Sequence, residues 1–257
     1  MDRLRGSQVF SKIYLWSGYW QMPVRDEDVH KTAFCTCWGS YEFLVMPFGV
    51  TNAPSQFMHL VQDILRKYLD DFVLVFIDDI LIFSRTTEEH CKHLRLVFQK
   101  LIEQYVYAKA SKCLIHVREL EFLGQWITTR GVAPVKGQLN AVREWETPTS
   151  VKDIRSFLGF TNYYRRFIPG YASIVAPLTM LTKKDVLWHW APLQCKAFAH
   201  LKSSLCATAL LIYPDPLLPY TVVSDASGDA AGGVLMQDQG EGLRPMAFES
   251  RAFKPTK

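Results

Sequence analysis

The sequence lacks the features that mark secreted, disulfide-stabilised and membrane-spanning proteins. No apolar run reaches the roughly 18 residues that a membrane-spanning helix requires, and the opening segment, MDRLRGSQVF, has no apolar core of a signal peptide. The six cysteines include no C-x-x-C pair, so reduced thiols and an intracellular location are expected. Internal repeats and low-complexity tracts are also missing.

The composition of the 257 residues is that of an ordinary globular protein. Hydrophobic residues make up 49% and charged residues 21% of the chain, enough for a sizeable core. The 29 Lys and Arg against 25 Asp and Glu give a net charge of +4. This mild excess is compatible with a nucleic-acid partner without requiring one. The length allows one large domain or two to three smaller ones.

Two adjacent aspartates, Asp78 and Asp79, interrupt the apolar segment from Phe72 to Phe83. The segments on either side have strand length and are rich in β-branched and aromatic residues, which predicts a buried hairpin with both carboxylates at its tip. Carboxylates so close to a core are costly unless a cation meets them. Metal binding and a plain surface turn are therefore both open interpretations.

A second group of metal-binding residue types lies downstream. It consists of His90, Cys91, His93, Cys113 and His116. These residues do not form two ligand pairs at the spacing that zinc sites use. The first three also lie on a predicted helix, where we expect surface residues.

The order of predicted elements indicates an α+β fold. The predicted elements begin with a strand at Val9–Leu15, a hairpin within residues 32–45 and a helix from Asn52 to about Leu69. The aspartate hairpin, a helix after Thr86 and a bend at Gly124 follow. This order fits a sheet with two helices on one face, of the split-βαβ kind. Residues 214–219 are predicted to form an extended tether, and strands are predicted on both sides of Asp225.

Helix boundaries and a buried stripe are also predicted. Thr86-x-x-Glu89 has the pattern of a capping box, and Ser150-x-x-Asp153 predicts a second helix start. Apolar residues at steps of three and four predict the buried stripe of the helix after Thr86. Its members are Cys91, Leu94, Phe98, Leu101 and Tyr105.

Seven segments, in this order, resemble the reverse transcriptase of gypsy-type long-terminal-repeat retroelements. The resemblance covers essentially the whole chain. The segments are FSKIYLWSGYWQM (10–22), MPFGVTNAPSQF (46–57), FIDDILIFS (76–84), YAKASKC (107–113), FLGQWIT (122–128), SVKDIRSFLGFTNYYRRFI (150–168) and SDASGDAAGGVL (224–235).

The resemblance implies a domain order and a set of partners. Residues 1–128 correspond to the palm with part of the fingers, 129–187 to a helical thumb or connection, and 188–257 to a truncated RNase H-like domain. The implied partners are an RNA template, a DNA primer or RNA–DNA hybrid, a deoxynucleoside triphosphate and other parts of a Pol polyprotein, with no membrane. A cytoplasmic particle or the nucleus is the expected location.

The resemblance also implies the chemistry of an RNA-directed DNA polymerase. Its palm carboxylates hold two Mg²⁺ (or Mn²⁺) ions around the primer 3′-OH and the nucleotide phosphates. Asp78 and Asp79 match two of three such carboxylates, and Asp225 matches the first metal-binding aspartate of the RNase H-like domain.

The same resemblance assigns the remaining site residues. They provide the floor beneath the nucleotide sugar, the template and nucleotide platform, a lysine near the phosphates, and the primer grip. In that order they are Gly18 and Tyr19; Phe48, Gly49, Asn52, Ala53 and Pro54; Lys109 or Lys112; and Phe122, Leu123 and Gly124.

The sequence departs from the family pattern at its third palm carboxylate, where it has Tyr14. A neutral phenol cannot bridge two Mg²⁺ ions, and the nearest acids, Asp26 and Asp28, lie in a polar loop. Arginines usual in the family are replaced by Trp16, Cys35 and Cys37. We also expect the chain to lack the fingers strands that precede the Tyr14 motif in the family, and the later acids of the RNase H-like domain.

These departures leave three hypotheses. The first is a polymerase that is impaired or inactive. The second is a non-catalytic module that binds RNA–DNA hybrid, and the third is a translated retrotransposon relic. The basic and aromatic segment Tyr163–Phe167 bears on the second hypothesis, because it is either a base-stacking surface or a buried helix with a solvated face.

Overall fold

The computed structural model describes residues 2–16, 18–228 and 230–253, and the chain divides into two compact units. The first unit comprises residues 6–122, and the second comprises residues 1–5 together with 123–257. The predicted division at residues 128 and 187 stays a prediction. Within the described residues, no helix combines the length and apolarity needed to cross a bilayer.

The first unit contains seven strands and two α-helices within its described residues. In chain order they are β1 (Val9–Tyr14), β2 (Phe34–Thr36), β3 (Gly39–Tyr41), α1 (Ala53–Ile64), β4 (Val73–Phe76), β5 (Asp79–Ser84), α2 (Thr87–Glu103), β6 (Leu114–Val117) and β7 (Leu120–Phe122). Short 3₁₀ turns cover Gly18–Gln21, Asp26–Thr32 and Ala110–Lys112.

One antiparallel sheet organises the first unit, with strands in the order β4–β5–β1–β6. Helices α1 and α2 both contribute to the apolar cluster on this sheet, so the expected α+β arrangement is confirmed. The cluster is built from β-branched, leucine and aromatic side chains, which suit a buried sheet face. Its fully buried members include Ile13, Phe57, Val61, Val73, Ile80, Ile82 and Val97.

The predicted helix starts are found in the structure. The Thr86 side chain accepts a hydrogen bond from the Glu89 backbone N–H at 3.2 Å, and Ser150 accepts one from Asp153 at 3.2 Å. Asn52 occupies the cap position of α1, although its side chain makes no capping bond within the described chain. Helix α1 ends at Ile64, earlier than the predicted Leu69.

The stripe predicted for α2 is confirmed for Leu94 and Leu101, which pack in the core, and wrong for its other three members. The buried residues of this helix are His90, Val97 and Leu101. Cys91, Phe98 and Tyr105 are exposed. The prediction placed Cys91 and Phe98 in the core instead of His90 and Val97, because a histidine was counted as polar.

The second unit begins with a small sheet and continues with helices and a three-stranded sheet. Its elements are β8 (Gln125–Ile127), β9 (Gly131–Pro134), α3 (Lys136–Arg143), α4 (Val151–Tyr163), α5 (Tyr171–Met180), α6 (Pro192–Cys206), β10 (Leu211–Ile212), β11 (Thr221–Ala226), β12 (Ala230–Asp238) and β13 (Leu243–Ala252). Strands β8, β9 and β10 pair antiparallel, as do β11, β12 and β13.

The segment predicted as an extended tether, residues 214–219, is anchored in the second unit. Asp215 is only 5% exposed and forms an ion pair with Arg5. Its backbone N–H also donates to the Gln237 side chain at 2.8 Å. The tether prediction was wrong because proline content indicates an extended backbone but does not show which side chains are buried.

Candidate active site

The two acids lie on the tight hairpin between β4 and β5. Phe76 pairs with Asp79, which leaves Ile77 and Asp78 as the two turn residues. Ile77 has a φ of 53°, a conformation that is strained for a β-branched side chain. The predicted hairpin is therefore confirmed, with Asp78 in the turn and Asp79 as the first residue of β5.

Tyr14 lies directly beside this hairpin. It ends β1, where it pairs with Asp79 across the sheet. A hydrogen bond from its phenol to the Asp78 carboxylate raises the pKa of Tyr14, and burial and the charges of both aspartates raise it further. Tyr14 is therefore a neutral hydrogen-bond donor that engages one acid of the pair.

Asp79 has an internal counter-ion. Its Oδ2 lies 3.2 Å from Lys12 Nζ, while its buried Oδ1 has no hydrogen-bond partner in the described part of the chain. Burial raises the pKa of Asp79, and the Lys12 charge opposes that effect. The second acid is thus partly neutralised by a lysine on the same strand as Tyr14.

The two lysines assigned near the phosphates differ in position. Lys112 Nζ lies 4.2 Å from the centroid of the Tyr14 ring. Lys109 Nζ lies 5.9 Å from the Trp16 ring centroid, and its backbone N–H donates to the Tyr14 carbonyl at 2.8 Å. Lys112 is therefore the lysine whose charge lies against the Tyr14 ring.

These residues do not fit a pair of divalent cations. Among the described residues, no group of three or more His, Cys, Asp or Glu side chains could hold a metal ion. The Tyr14 phenol engages Asp78, and Lys12 engages one oxygen of Asp79. The unpartnered Asp79 Oδ1 is a hard oxygen ligand, so the acids suit at most one cation.

The residues assigned to the sugar floor come together around Phe57. The Tyr19 ring makes edge-on contacts with Phe48 and Phe57 at centroid distances of 5.3 and 5.9 Å. A Cβ at Gly18 would lie 2.7 Å from the Phe57 ring. Gly18 is therefore required by close packing, while Phe48 keeps an exposed face.

The residues assigned to the platform lie at the start of α1. Gly49 has a φ of 99°, which glycine adopts without strain. Ala53 is buried, and Pro54 lies in the first turn of the helix, where its missing N–H costs nothing.

The residues assigned to the primer grip lie around a turn. Phe122 is buried at the end of β7, and Leu123 and Gly124 have φ values of 49° and 65°. In the second unit, the Tyr164 phenol donates to the Gly124 carbonyl at 2.9 Å, and Tyr163 donates to the Leu123 carbonyl.

The tyrosine-rich segment therefore has a structural role. Tyr164 and Phe167 are buried, while Tyr163 is exposed. The observed burial therefore agrees better with a buried helix that has a solvated face than with a base-stacking surface.

Asp225 lies in β11, and Glu249 of β13 does not share its face of the sheet. Asp225 pairs with Gly232, whereas Glu249 pairs with Gly233, so the two acids occupy adjacent rows and point to opposite faces. Glu249 instead lies 3.7 Å from Arg165. In the described residues, the acids of an RNase H centre are therefore not assembled around Asp225.

Two family models match the chain. The model described as reverse transcriptase (RNA-dependent DNA polymerase) matches residues 1–127, and the model of an RNase H-like domain found in reverse transcriptase matches residues 190–257. The chain belongs to the reverse transcriptase family. It is a reverse transcriptase domain of a retroelement Pol polyprotein, followed by the start of an RNase H-like domain.

Similar curated proteins are much longer than this reverse transcriptase chain. It is 37% identical over 264 residues to the retrovirus-related Pol polyprotein from transposon opus of Drosophila melanogaster, matching 98% of this chain and 26% of that protein. It is 37% identical over 237 residues to the Transposon Tf2-3 polyprotein of Schizosaccharomyces pombe, matching 92% of this chain and 18% of that protein. The chain thus spans about a quarter or less of these relatives.

Solved structures of foamy viral protease-reverse transcriptase share the fold. The structure in complex with dsDNA has a TM-score of 0.85 at 26% identity, covering 96% of this chain and 52% of that one. The structure in complex with RNA/DNA hybrid has a TM-score of 0.82 at 27% identity, covering 97% of this chain and 34% of that one.

Two histidines of α2 in this reverse transcriptase form a hydrogen-bond network with serines of β1 and β5. His90 is fully buried, and its ring nitrogens lie 2.7 Å from Ser11 Oγ and 2.8 Å from Ser84 Oγ. His93 Nδ1 lies 2.8 Å from the same Ser84 oxygen. The expectation that the helix histidines are surface residues is therefore wrong for His90.

Two residues of the reverse transcriptase site escaped the sequence analysis. Lys12 was detectable, because alternate residues of a strand share a face and Lys12 is two residues before Tyr14. Gln21 accepts from the Tyr107 N–H at 2.6 Å and donates to its carbonyl at 3.1 Å. No local sequence pattern indicates such a contact between distant residues.

Proposed function

We propose that this domain is an RNA-directed DNA polymerase by descent whose nucleotidyl transfer is strongly reduced. The observation that carries the proposal is the strand pairing of Tyr14 with Asp79, which places a phenol beside the paired acids where the family has a third palm acid. A hydrogen bond to Asp78, burial and the charges of both aspartates raise the pKa of Tyr14, so the phenol stays neutral.

The expected loss follows from the chemistry of the reaction. Nucleotidyl transfer builds negative charge on the attacking 3′-oxygen and on the leaving pyrophosphate, and polymerases neutralise it with two divalent cations. Changing a group that only supports a metal ligand costs about 10- to 100-fold. Replacing a ligand itself is expected to cost more than about 100-fold.

Primer extension by three matched variants tests this proposal. The wild-type chain, Tyr14→Asp and Tyr14→Phe are compared on an RNA template with a DNA primer and Mg²⁺ or Mn²⁺. Tyr14→Asp is expected to extend the primer at least about 100-fold faster than the wild type. Tyr14→Phe, which removes the bond to Asp78 without supplying an acid, is expected to stay as slow as the wild type. Robust synthesis by the wild type would refute the proposal.

The second part of the proposal is that template–primer binding is retained. Foamy viral protease-reverse transcriptase has been captured with dsDNA and with RNA/DNA hybrid, and this chain has a net charge of +4. Phosphate contacts release counterions, so affinity for a labelled RNA–DNA hybrid should fall as salt rises from 50 to about 200 mM. Wild type and Tyr14→Asp should bind alike, and salt-independent or absent binding would remove this part of the proposal.

The remaining features stay predictions. A deoxynucleoside triphosphate is the proposed small substrate, and other segments of a Pol polyprotein are the proposed protein partners. An intracellular location, in a cytoplasmic particle or the nucleus, is proposed on the same grounds.

A further inference from the structure

A surface cavity of about 490 Å³ lies within the second unit, and its lining includes none of the residues assigned to the polymerase reaction. Its lining comes from the 3₁₀ turn Arg165–Phe167, from the region around β10, and from β12 and β13. This volume is within the range of about 300–1,000 Å³ typical of sites for small ligands.

The cavity has one charged lining residue, Arg166. Arg166 is half-buried, and its side chain makes no hydrogen bond or ion pair with another described residue. Its guanidinium carbon lies 5.9 Å from the Phe167 ring centroid. The preceding Arg165, in contrast, lies 3.7 Å from Glu249. A half-buried guanidinium without an acid partner provides a site for an anion.

The rest of the lining is apolar and includes an available aromatic ring. Tyr220 is 47% exposed, and its side chain makes no ring contact or hydrogen bond with another described residue. Ile212 and Met246 line the cavity and are nearly buried, and Leu235 adds to the apolar lining. The cavity therefore presents a positive group, a flat ring and an apolar floor together.

We propose that this cavity binds one nucleotide unit of single-stranded nucleic acid. The base stacks on Tyr220 over the apolar floor, and the adjoining phosphate accepts hydrogen bonds from Arg166. Aromatic stacking combined with a cation on the backbone is how proteins hold single strands without reading their sequence. The cavity needs neither Asp78 nor Asp79, so this inference is independent of the catalytic proposal.

The test measures binding of a fluorescein-labelled oligothymidylate of eight nucleotides by fluorescence anisotropy. Arg166→Gln is expected to raise Kd about tenfold, whereas Arg165→Gln, with the same change in charge one residue away, stays within about twofold. Tyr220→Ala should also raise Kd about tenfold, and Tyr220→Phe, which keeps the ring, should bind like the wild type.

A second measurement needs no variant. Photocrosslinking of the wild-type chain to an oligonucleotide containing 5-iodouracil should label the peptide that contains Tyr220. Equal Kd values for Arg166→Gln and Arg165→Gln, no binding by the wild type, or crosslinks confined to residues 6–122 would each overturn the inference. Wild type and Arg166→Gln should bind blunt RNA–DNA hybrid with equal affinity. A failure of the cavity proposal would therefore appear only with the single strand, and a failure of the duplex-binding proposal only with the hybrid.

Discussion

The side chain at position 14 changes the charge balance beside the Asp78–Asp79 hairpin. An acid there would add a third negative charge and a ligand, whereas the phenol donates to Asp78 and stays neutral. Lys12 then balances part of the charge on Asp79 at 3.2 Å. Protein groups therefore balance the two carboxylates without a cation, apart from Asp79 Oδ1, which has no hydrogen-bond partner in the described chain.

Gly18 gives a stability prediction at the scale of single residues. Gly18→Ala would place a methyl group 2.7 Å from the fully buried Phe57 ring, so we expect the free energy of unfolding to fall by about 1–3 kcal/mol. Gly159→Ala is the matched control, because Gly159 lies in α4 with open space around it. The control should be stabilised by about 0.5–1 kcal/mol. Urea denaturation measures both, and a neutral Gly18→Ala would contradict the packing role.

At the scale of elements, α2 is fixed to β1 and β5 by polar contacts as well as apolar ones. His90 lies between Ser11 of β1 and Ser84 of β5, and burial lowers the pKa of His90 to about 4. The neutral ring can donate with one nitrogen and accept with the other. A protonated ring would lose its acceptor and place a charge in the core.

This contact predicts a pH dependence of stability. Because the folded-state pKa of His90 is below its ordinary value of 6.5, the unfolded chain takes up the proton first. Stability should be intact at pH 7 and fall as pH decreases from 6.5 towards 4, with a loss of about 2 kcal/mol at pH 5. Burial also lowers the pKa of His93, so His93 adds to the loss of stability as pH falls. Burial raises the pKa of Asp79, so Asp79 opposes that loss.

The contribution of His90 can be isolated by comparing how the free energy of unfolding changes with pH in the wild type and in a variant without the imidazole. His90→Asn cannot titrate, so its unfolding free energy should vary less between pH 7 and pH 5 than that of the wild type, by about 2 kcal/mol. Urea unfolding at several pH values measures the difference. Identical slopes for the two proteins would show that His90 does not bind its proton differently in the folded state.

At the scale of the whole molecule, the chain forms two units that do not follow sequence order. Leu4 is fully buried in the second unit, and Arg5 pairs there with the buried Asp215. The first residues therefore belong to the unit formed otherwise by residues 123–257. No pattern in MDRLR indicates this, because the partner acid is 210 residues away.

Arg5→Gln tests this arrangement. The change leaves Asp215 buried without its cation, and we expect the second unit to lose about 1–3 kcal/mol, less than for a fully buried pair because Arg5 is partly exposed. Hydrogen exchange should rise in β10 to β12 and stay unchanged in β4 and β5. Arg3→Gln is the control and should change neither region. Equal exchange in Arg5→Gln and the wild type would contradict the account.

Local sequence signals predicted the parts of the fold that depend on short-range chemistry. The aspartate hairpin, the caps at Thr86 and Ser150 and the bend at Gly124 follow from strand composition, capping and turn residues. The buried His90 and Asp215 were not predictable in this way, because each is stabilised by partners distant in the sequence. At the site, the order of motifs indicated that Tyr14 would lie beside the acids, while the Lys12–Asp79 contact required the register of β1 against β5.

The proposed function requires that the palm of this reverse transcriptase has lost a metal ligand and kept its geometry. Counting Mn²⁺ ions bound per chain, from the electron paramagnetic resonance signal of free Mn²⁺, tests it most directly. Tyr14→Asp should bind one more Mn²⁺ ion than the wild type, and Tyr14→Phe should match the wild type. Equal numbers for the wild type and Tyr14→Asp would contradict the account.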